Sequence, residues 1–200
     1  MPKNRLLLVG LVMSGLLLSA QGAEAQLVTG GHTGLSQSLS DTKDFASELS
    51  FRNAGLETRY MASEGLSFGV SFSWSVFHEQ IEGQEDLAQL PVTITGTQFR
   101  TVNTLPLLVT AHKYFGAAPQ QTRPYVGVGL GTAWTQRRLD IGVLSADNAS
   151  WGFAAVPEVG LLIPLSAGLD LAVHGKYLWT SSDPGAQTVS FGIGLLTKSF

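Results

Sequence analysis

The segment from Leu66 to Phe77 reads LSFGVSFSWSVF, and it limits the folds open to this chain more than any other stretch. Large apolar residues alternate in it with serine and glycine, the period-two pattern of a β-strand with one bulky face. A soluble sheet with one dry face normally carries charged or polar side chains on its other face, toward water. A face of very small side chains instead fits the inner wall of a narrow closed barrel.

The length of this strand and the composition of the chain both indicate a membrane protein. At about 3.3 Å per residue and a tilt of about 45°, the strand rises about 28 Å, close to the hydrocarbon thickness of a bilayer. Of the 200 residues only 14% are charged, and 23 are glycine. No apolar run long enough for a spanning helix follows the N-terminal region, and a closed barrel is the other structure that satisfies its backbone in lipid. The net charge of -3 argues against a nucleic-acid partner, and the absence of cysteine excludes disulfides and thiolate metal sites.

The first residues of the chain predict an export signal. Lys3 and Arg5 form a basic region, Leu6 to Leu18 an apolar core too short to span a membrane, and an Ala-Glu-Ala cleavage motif follows. We therefore expect a signal peptide over residues 1–25 and a barrel domain over residues 26–200.

Period-two alternation along the remaining chain predicts an all-β fold, an eight-stranded antiparallel up-and-down transmembrane β-barrel. A polar loop is expected over residues 37–49 and an acidic loop over residues 79–90. Residues 63–65 and 166–168 each end in glycine, which predicts a type I turn followed by a left-handed glycine bulge. The predicted strands are residues 27–36, 51–62, 66–77, 93–115, 124–138, 151–165, 169–180 and 188–200.

The export signal, the tracts PYVGVGLG and RTVNTLPLLVTAHKYF, and the terminal Phe200 resemble the small outer-membrane β-barrels of Gram-negative bacteria, the porin family related to OmpA, OmpX and OmpW. The resemblance implies recognition by the outer-membrane assembly machinery. We expect a monomer in the cell outer membrane, in contact with its lipids and lipopolysaccharide. Phe200 matches the family's C-terminal assembly signal, but Lys198 stands where an aromatic residue is common. We expect either a bulge near Leu195 and Leu196 or departure of the last residues from the sheet.

The favoured function is a non-enzymatic outer-membrane barrel with a structural or surface-interaction role, no cofactor, and a lumen filled by side chains. One alternative is a narrow channel for small or hydrophobic solutes. Another is a secreted lipocalin-like carrier, which would leave almost no charge on its water-facing surface. A third is a lipid A-modifying enzyme, which needs a histidine beside a serine and an acid. The four histidines are scattered and none has such a setting: His32, His78, His112 and His174.

Charged residues at inward positions predict a network that closes the lumen rather than an ion or proton path. If residues 166–168 form a three-residue hairpin loop, Glu158 lies directly opposite Lys176. Unpaired charges inside the barrel are costly, so Arg59 and Arg100 are also expected to meet acids, with Glu57 and Asp170 as candidates. The predicted lumen network is Glu57, Arg59, Arg100, Glu158, Asp170, His174 and Lys176.

Two further features concern the ends of the strands. Four tryptophans near the loop ends predict an interfacial aromatic girdle: Trp74, Trp134, Trp151 and Trp179. The acidic residues between Glu79 and Asp86 are interpreted as a solvated loop rather than a divalent-cation site, because no calcium-loop spacing is present.

Overall fold

The computed structural model describes residues 26–86, 93–116, 121–142 and 144–199, and the side chains of residues 82–96 lie outside that description. The predicted signal peptide also lies outside it. Each strand pairs antiparallel with its neighbours in sequence, and β1 pairs with β8 to close the ring. The predicted eight-stranded up-and-down barrel is confirmed. The strands are β1 Gln26–Ser38, β2 Ser50–Ser63, β3 Leu66–Asp86, β4 Thr93–Tyr114, β5 Arg123–Ile141, β6 Leu144–Ser166, β7 Leu169–Thr180 and β8 Gln187–Ser199.

The two faces of the strands are divided as the alternation predicts. On β3, Phe68, Phe72 and Trp74 are exposed on the outer wall, whereas Ser67 and Ser75 are buried in the lumen. An apolar outer wall around a polar interior is the arrangement of a barrel whose solvent is lipid. In the described part of the chain no helix has the length and apolar character needed to cross a membrane.

The strands meet at two different ends of the barrel. The turn end carries the short β2–β3 and β6–β7 connections, and the loop end carries the segment after β1 and the long hairpins. At the turn end, register shifts lie between Met61 and Ser63 and between Pro164 and Ser166. Each shift leaves one residue of the earlier strand without a partner, and this extra residue gives the odd spacing that the predicted register requires. The predicted three-residue loops are wrong, because Ser63 pairs with Leu66 and Ser166 with Leu169, which leaves two residues in each turn and the extra residue in the preceding strand. The predicted left-handed glycines are also wrong, because neither Gly65 nor Gly168 has a positive φ.

The long hairpins at the loop end extend further than the sequence pattern indicates. The predicted acidic loop over residues 79–90 is wrong for its first part, because β3 pairs with β4 from Glu79 opposite Arg100 to Asp86 opposite Thr93. Residues 87–92 lie outside the described residues. Likewise β6 begins at Leu144 and not at Trp151. Residues 144–149 of β6 are all exposed, so no apolar alternation marks this outer segment.

The segment after β1, predicted as a polar loop, contains the short helix α1, Ser40–Phe45. The backbone N–H of Leu39 donates to the Gln187 carbonyl of β8 at 2.8 Å, which holds the segment against the rim. Phe45 packs against Ala46, Phe77 and Val102 in a cluster whose other members are fully buried. The helix therefore places an apolar side chain in the mouth of the barrel.

In β8 the alternation of inward and outward side chains continues without a shift to the end of the strand. Its register with β1 is continuous from Thr188 to Ser199, without the predicted bulge and without departure from the sheet. Leu196 is buried in the lumen, and Lys198 is on the same inner face. Phe200 lies outside the described residues, so its role in assembly stays a prediction. An inward lysine is tolerated here because it finds an acid, as described below.

Candidate functional site: the barrel lumen

The centre of the lumen holds four charged side chains from three strands. On β2, Nη2 of Arg59 donates to both carboxylate oxygens of Glu57, at 3.0 and 2.9 Å. From β6, Oε1 of Glu158 lies 3.6 Å from the same nitrogen, and its Oε2 lies 3.5 Å from Nζ of Lys176 on β7. The Arg59 side chain is fully buried. The two acids and two bases are balanced, so the cluster carries no net formal charge.

The predicted cross-strand register is confirmed. Glu158 pairs directly with Lys176, and the same register continues without interruption to Pro164 opposite Asp170. Direct opposition brings Cβ atoms within about 5.5 Å, and the long lysine side chain covers the remaining distance.

Three aromatic residues that the sequence interpretation did not place in the network complete it. The hydroxyl of Tyr125 donates to Oε1 of Glu158 at 2.6 Å, and Nε2 of His112 lies 3.5 Å from Oε2. Nη1 of Arg59 donates to the Tyr114 hydroxyl at 3.0 Å. All three rings stand at inward positions of β4 and β5. The alternation of inward and outward residues on β4 and β5 already places these three rings in the lumen. The sequence interpretation missed them because it considered only charged side chains as groups that fill the lumen.

The glycines of the inner wall make room for these rings. Each of four inward rings has a glycine directly opposite it on a neighbouring strand. The pairs are His32 with Gly55, His112 with Gly127, His174 with Gly192, and Tyr125 with Gly160. A methyl group at Gly55 would lie 2.5 Å from the His32 ring, and one at Gly160 would lie 2.6 Å from the Tyr125 ring. Each large inward ring therefore occupies a niche created by the glycine on the next strand. We call these the glycine niches.

Two of the predicted network residues lie apart from the centre. Asp170 forms an ion pair with Lys198, with Nζ 2.7 Å from Oδ1, so the expectation that it neutralises an arginine is wrong. The cause is the unbroken β8 register, which keeps Lys198 inside. Arg100 lies toward the loop end, where its Nη2 donates to Gln98 at 3.2 Å and its guanidinium stands 5.6 Å from the Phe45 ring centre. The other expected acid, Glu57, does meet an arginine, because it accepts both hydrogen bonds from Arg59.

A small cavity of about 40 Å³ lies between the charged centre and the loop end. His32 and His174 meet edge to face beside it, with ring centres 5.1 Å apart. Their Nδ1 atoms are buried without a hydrogen-bond partner among the described residues. A polar cavity of this size is large enough for water, since about 10–15 Å³ is the least that one molecule needs. The lining includes Ser71, Ser73, Ser190, Glu158 and Lys176.

Apolar clusters lie on both sides of this polar region. Toward the turn end the lumen contains Val28, Tyr114, Tyr125, Leu162, Ala172 and Leu196. Toward the loop end it contains Ala46, Phe77 and Val102 with Phe45 packed against them. The ring of Phe45 also has the Arg137 guanidinium 5.7 Å from its centre, in addition to that of Arg100. The cavity is thus bounded by side chains along the barrel axis in both directions.

The four tryptophans all lie on the outer wall. Trp134 and Trp151 are directly opposite each other on β5 and β6, and Leu105 on β4 pairs with Trp134 at the same level. The ring of Trp179 stands 6.4 Å from that of Phe153. Trp74 and Trp151 are more than half exposed. These positions are compatible with an interfacial belt, and the girdle role stays a prediction.

The remaining histidine and the first acidic residue of the predicted loop have ordinary structural partners. His78 is on the outer face, stacked on Phe99 with ring centres 5.9 Å apart and hydrogen-bonded to Thr101. The carboxylate of Glu79 accepts hydrogen bonds from the N–H and hydroxyl of Ser47. Across residues 26–86, 93–116, 121–142 and 144–199, no histidine is hydrogen-bonded to a serine hydroxyl, and no three acidic or histidine side chains are grouped to hold a metal ion.

Comparison with protein-family models gives no match, and comparison with curated protein sequences gives none either. Solved structures do match. Neisserial surface protein A has a TM-score of 0.57 at 12% identity over 90% of this chain and 100% of its own. A major outer membrane protein from Thermus thermophilus has a TM-score of 0.58 at 10% identity, over 88% of this chain and 100% of its own. Ail, the attachment invasion locus protein of Yersinia pestis, has a TM-score of 0.51 at 12% identity, over 90% and 100%.

These likenesses confirm at the level of fold the resemblance that the sequence motifs indicate. A closed antiparallel barrel with an apolar outer wall and short turns at one end is the architecture of outer-membrane proteins. The chain accordingly has the fold of the small eight-stranded transmembrane β-barrels of the outer membrane.

Proposed function

We propose that this protein is a non-enzymatic, non-conducting membrane anchor that presents a β-sheet at the cell surface for interaction with other molecules. The observation that carries the proposal is the lumen, in which a buried ionic cluster is flanked by apolar clusters toward both ends. An eight-stranded barrel is only just wide enough for its own side chains, so this packing supports a lumen closed to solutes.

The surface-interaction part of the proposal is supported by the unequal strand lengths. Strand β2 pairs with β3 only as far as Ser75, and β7 pairs with β6 only from Ala154. Beyond these points β3, β4, β5 and β6 continue together, so a four-stranded sheet projects past the level of Trp134 and Trp151. Such a platform held by a rigid barrel suits recognition, since binding residues commonly lie on loops and extensions positioned by a scaffold.

The anchor is proposed to be a monomer in contact with outer-membrane lipids and lipopolysaccharide, inserted by the outer-membrane assembly machinery. No nucleic-acid partner or cofactor is proposed. An enzymatic role on lipid A is disfavoured because the three lumenal histidines are enclosed in glycine niches, away from the outer wall where a lipid would bind.

The second candidate function is a narrow channel, and the polar cavity beside Lys176 is the observation that favours it. The two candidates differ in the conductance of the purified protein in planar bilayers. We expect the wild-type barrel to give no steady openings at neutral pH, because water entry would require separation of the Glu57–Arg59 pair and of the apolar clusters.

The barrel offers a matched pair of variants for this measurement. The double substitution Glu57→Ala with Arg59→Ala removes a buried ion pair whose members are two residues apart, and it should produce openings. The pair Arg138 and Asp140 has the same spacing but lies on the exposed outer hairpin. Its double alanine variant should remain silent. Steady wild-type openings would support the channel and contradict the anchor.

A further inference from the structure

Arg137 on β5 is a cation on the inner wall without an acidic partner. The residue directly opposite it on β4 is Val102, which is fully buried. None of the ion pairs among the described residues includes Arg137. In the central cluster, by contrast, Arg59 and Lys176 each contact a carboxylate. The described side chains therefore leave the charge of Arg137 uncompensated.

The contacts that Arg137 does make are with neutral groups. Its Nη2 donates to the carbonyl of Gly185 in the β7–β8 connection at 2.9 Å, and its guanidinium stands 5.7 Å from the centre of the Phe45 ring. Its Nε is buried and has no hydrogen-bond partner among the described residues. A charged group beside apolar side chains is costly unless an opposite charge neutralises it. The free Nε–H of an uncompensated cation therefore calls for an acceptor that carries negative charge.

Three hydroxyl groups lie side by side on the inner wall next to Arg137, on its side toward the turn end. Thr135 is two residues before Arg137 on the same face of β5, and it pairs with Thr104 on β4 and with Ser150 on β6. Directly opposed Cβ atoms lie about 4.5–5.5 Å apart, so the three side chains form a continuous row around the wall. We call these three residues the hydroxyl row. Two of its members, Thr104 and Thr135, are fully buried.

The hydroxyl row has donors that no described residue uses. Oγ1 of Thr104 and Oγ of Ser150 are buried and have no hydrogen-bond partner in the described part of the chain. Oγ1 of Thr135 accepts from the Ser182 hydroxyl at 3.4 Å, which leaves its own O–H to donate. Buried polar groups are nearly always hydrogen-bonded, so orphaned donors on neighbouring strands require an explanation. With Nε of Arg137 they make four donors within one step of Thr135 along or across the sheet.

From this arrangement we propose that Arg137 and the hydroxyl row bind one monovalent anion of chloride size inside the loop end of the barrel. One guanidinium balances one negative charge, and N–H and O–H donors replace the hydration shell of the ion. The anion also links β5 to the β7–β8 connection, because Ser182 and Gly185 contact Thr135 and Arg137. The proposal does not depend on the surface-interaction role of the barrel.

Water and divalent oxyanions fit this site less well than a monovalent anion. Water accepts from the hydroxyl groups but leaves the guanidinium charge uncompensated beside Val102 and Phe45. Sulfate or phosphate brings charge in excess of one guanidinium and needs more space. Space is limited here, because the Ser182 backbone lies so close to the inner wall that a methyl group on Gly152 would clash with it. A small ion with a single charge meets both restrictions.

The arginine side-chain N–H signals provide a direct test on the wild-type protein in lipid nanodiscs. Sodium gluconate is replaced stepwise by sodium chloride at constant ionic strength, and the Nε–H resonances of Arg137 and Arg138 are followed by NMR. Arg137 should show a saturable shift, and bromide should reproduce it. Arg138, which is exposed and bonded to Asp140, should show no saturable response. Sulfate should not replace chloride. This measurement requires no variant, so it remains valid if a substitution impairs folding.

Thermal unfolding tests the same site through its linkage to stability. At a few times the dissociation constant, chloride should raise the melting temperature by about 2–4 °C over gluconate at equal ionic strength. Arg137→Gln should abolish this difference, whereas Arg138→Gln should preserve it. Thr104→Val removes one hydroxyl of the row and should weaken halide affinity. Thr110→Val, at a buried lumenal position outside the row, should not.

Four outcomes would overturn the proposal. An Arg137 Nε–H signal that responds to neither chloride nor bromide would mean that water satisfies these donors. Equal shifts at Arg137 and Arg138 would mean a general salt effect. Tighter binding of sulfate would contradict a site for a small monovalent ion, and a halide effect on melting that survives Arg137→Gln would place the ion elsewhere. None of these outcomes bears on conductance, so failure here is distinct from failure of the closed-lumen anchor.

Discussion

Glu158 on β6 lies directly opposite Lys176 on β7, with 3.5 Å between Oε2 and Nζ. The two residues are not equivalent in the network. Glu158 also contacts Tyr125, His112 and Arg59, whereas Lys176 is the most exposed member, with 14% of its side chain accessible. The carboxylate is therefore the point at which the charges of three strands converge.

Removal of Glu158 should destabilise the barrel more than removal of Lys176. Lys176→Ala leaves Glu158 with three partners and should lower the free energy of unfolding by about 1–2 kcal/mol. Glu158→Ala leaves the cluster with one excess positive charge, since Glu57 still pairs with Arg59 but Lys176 loses its acid, and should lower it by about 3–5 kcal/mol. Urea titration of the protein in detergent micelles measures both. Equal losses in the two variants would contradict the central position of Glu158.

The glycine niches predict a coupling between each ring and the glycine across from it. Gly55→Ala would bring a methyl group against the His32 ring and should cost about 1–3 kcal/mol of stability. Adding His32→Ala should recover only the part of that loss that the ring causes, because the methyl group would also lie 2.7 Å from the Phe72 carbonyl oxygen, and the double-mutant cycle isolates the ring's part.

Gly31 is the matched control for this cycle. It faces the outer wall next in sequence to His32, and a methyl group there would lie 3.5 Å from its nearest neighbours, an ordinary contact. Gly31→Ala should therefore be close to neutral and should not couple to His32→Ala. A loss at Gly31 as large as that at Gly55 would mean that sheet propensity, and not the ring niche, explains the glycines.

The alternation of inward and outward side chains along each strand explains how much of this site could be predicted from the sequence. The alternation within each strand predicts which residues face the lumen, and an odd number of residues between β6 and β7 predicts Glu158 opposite Lys176, as the register shows. Glu57 and Arg59 were located in the lumen in the same way. Parity gives no information on how far along the axis a side chain reaches, so the predicted Asp170–arginine contact failed while the lumenal position of Asp170 was correct.

The parts that could not be predicted lack a periodic signal. The outer segments of β3 and β6 carry no alternating apolar residues, and residues 144–149 of β6 are all exposed, so the sequence there does not predict a strand. Phe45 is one apolar residue in a polar stretch, and only the fold shows that Phe77 and Val102 receive it. Lys198 appeared misplaced because its partner Asp170 lies on the neighbouring strand, far away in sequence.

The Phe45 contact predicts a change in access to the lumen from the cell surface. Because the chain contains no cysteine, a single Thr104→Cys substitution provides a unique reporter at a fully buried inward position near the loop end. Phe45→Ala should expose that thiol and accelerate its reaction with a water-soluble reagent. A Ser67→Cys reporter, buried toward the turn end beside Tyr114, should stay slow in both backgrounds. Equal rates at Thr104→Cys with and without Phe45 would show that the helix does not close the mouth.

The outer β5–β6 hairpin predicts a pH dependence that can be measured residue by residue. The side chain of Arg138 donates to both carboxylate oxygens of Asp140 at 3.0 and 2.9 Å. This hydrogen bond, together with one from Ser145 across the hairpin, lowers the pKa of Asp140 below that of an ordinary aspartate. The folded hairpin prefers the ionised carboxylate of Asp140. The contribution of Asp140 to hairpin stability is therefore fully present above the ordinary aspartate pKa, and it is lost as the pH falls through the lowered pKa of Asp140 in the folded hairpin.

An NMR titration of the Asp140 carboxyl carbon measures this pKa directly. Arg138→Gln removes the principal donor and should raise the Asp140 pKa toward its ordinary value, whereas Arg52→Gln alters an exposed arginine outside this hairpin and should leave it unchanged. Acidification should also speed exchange of amides at the tip of the hairpin before those of the barrel wall, because only the tip depends on this pair. If the Asp140 pKa does not respond to Arg138→Gln, the outer hairpin does not hold these two side chains together in solution. The projecting sheet would then lack the rigidity that a recognition platform requires.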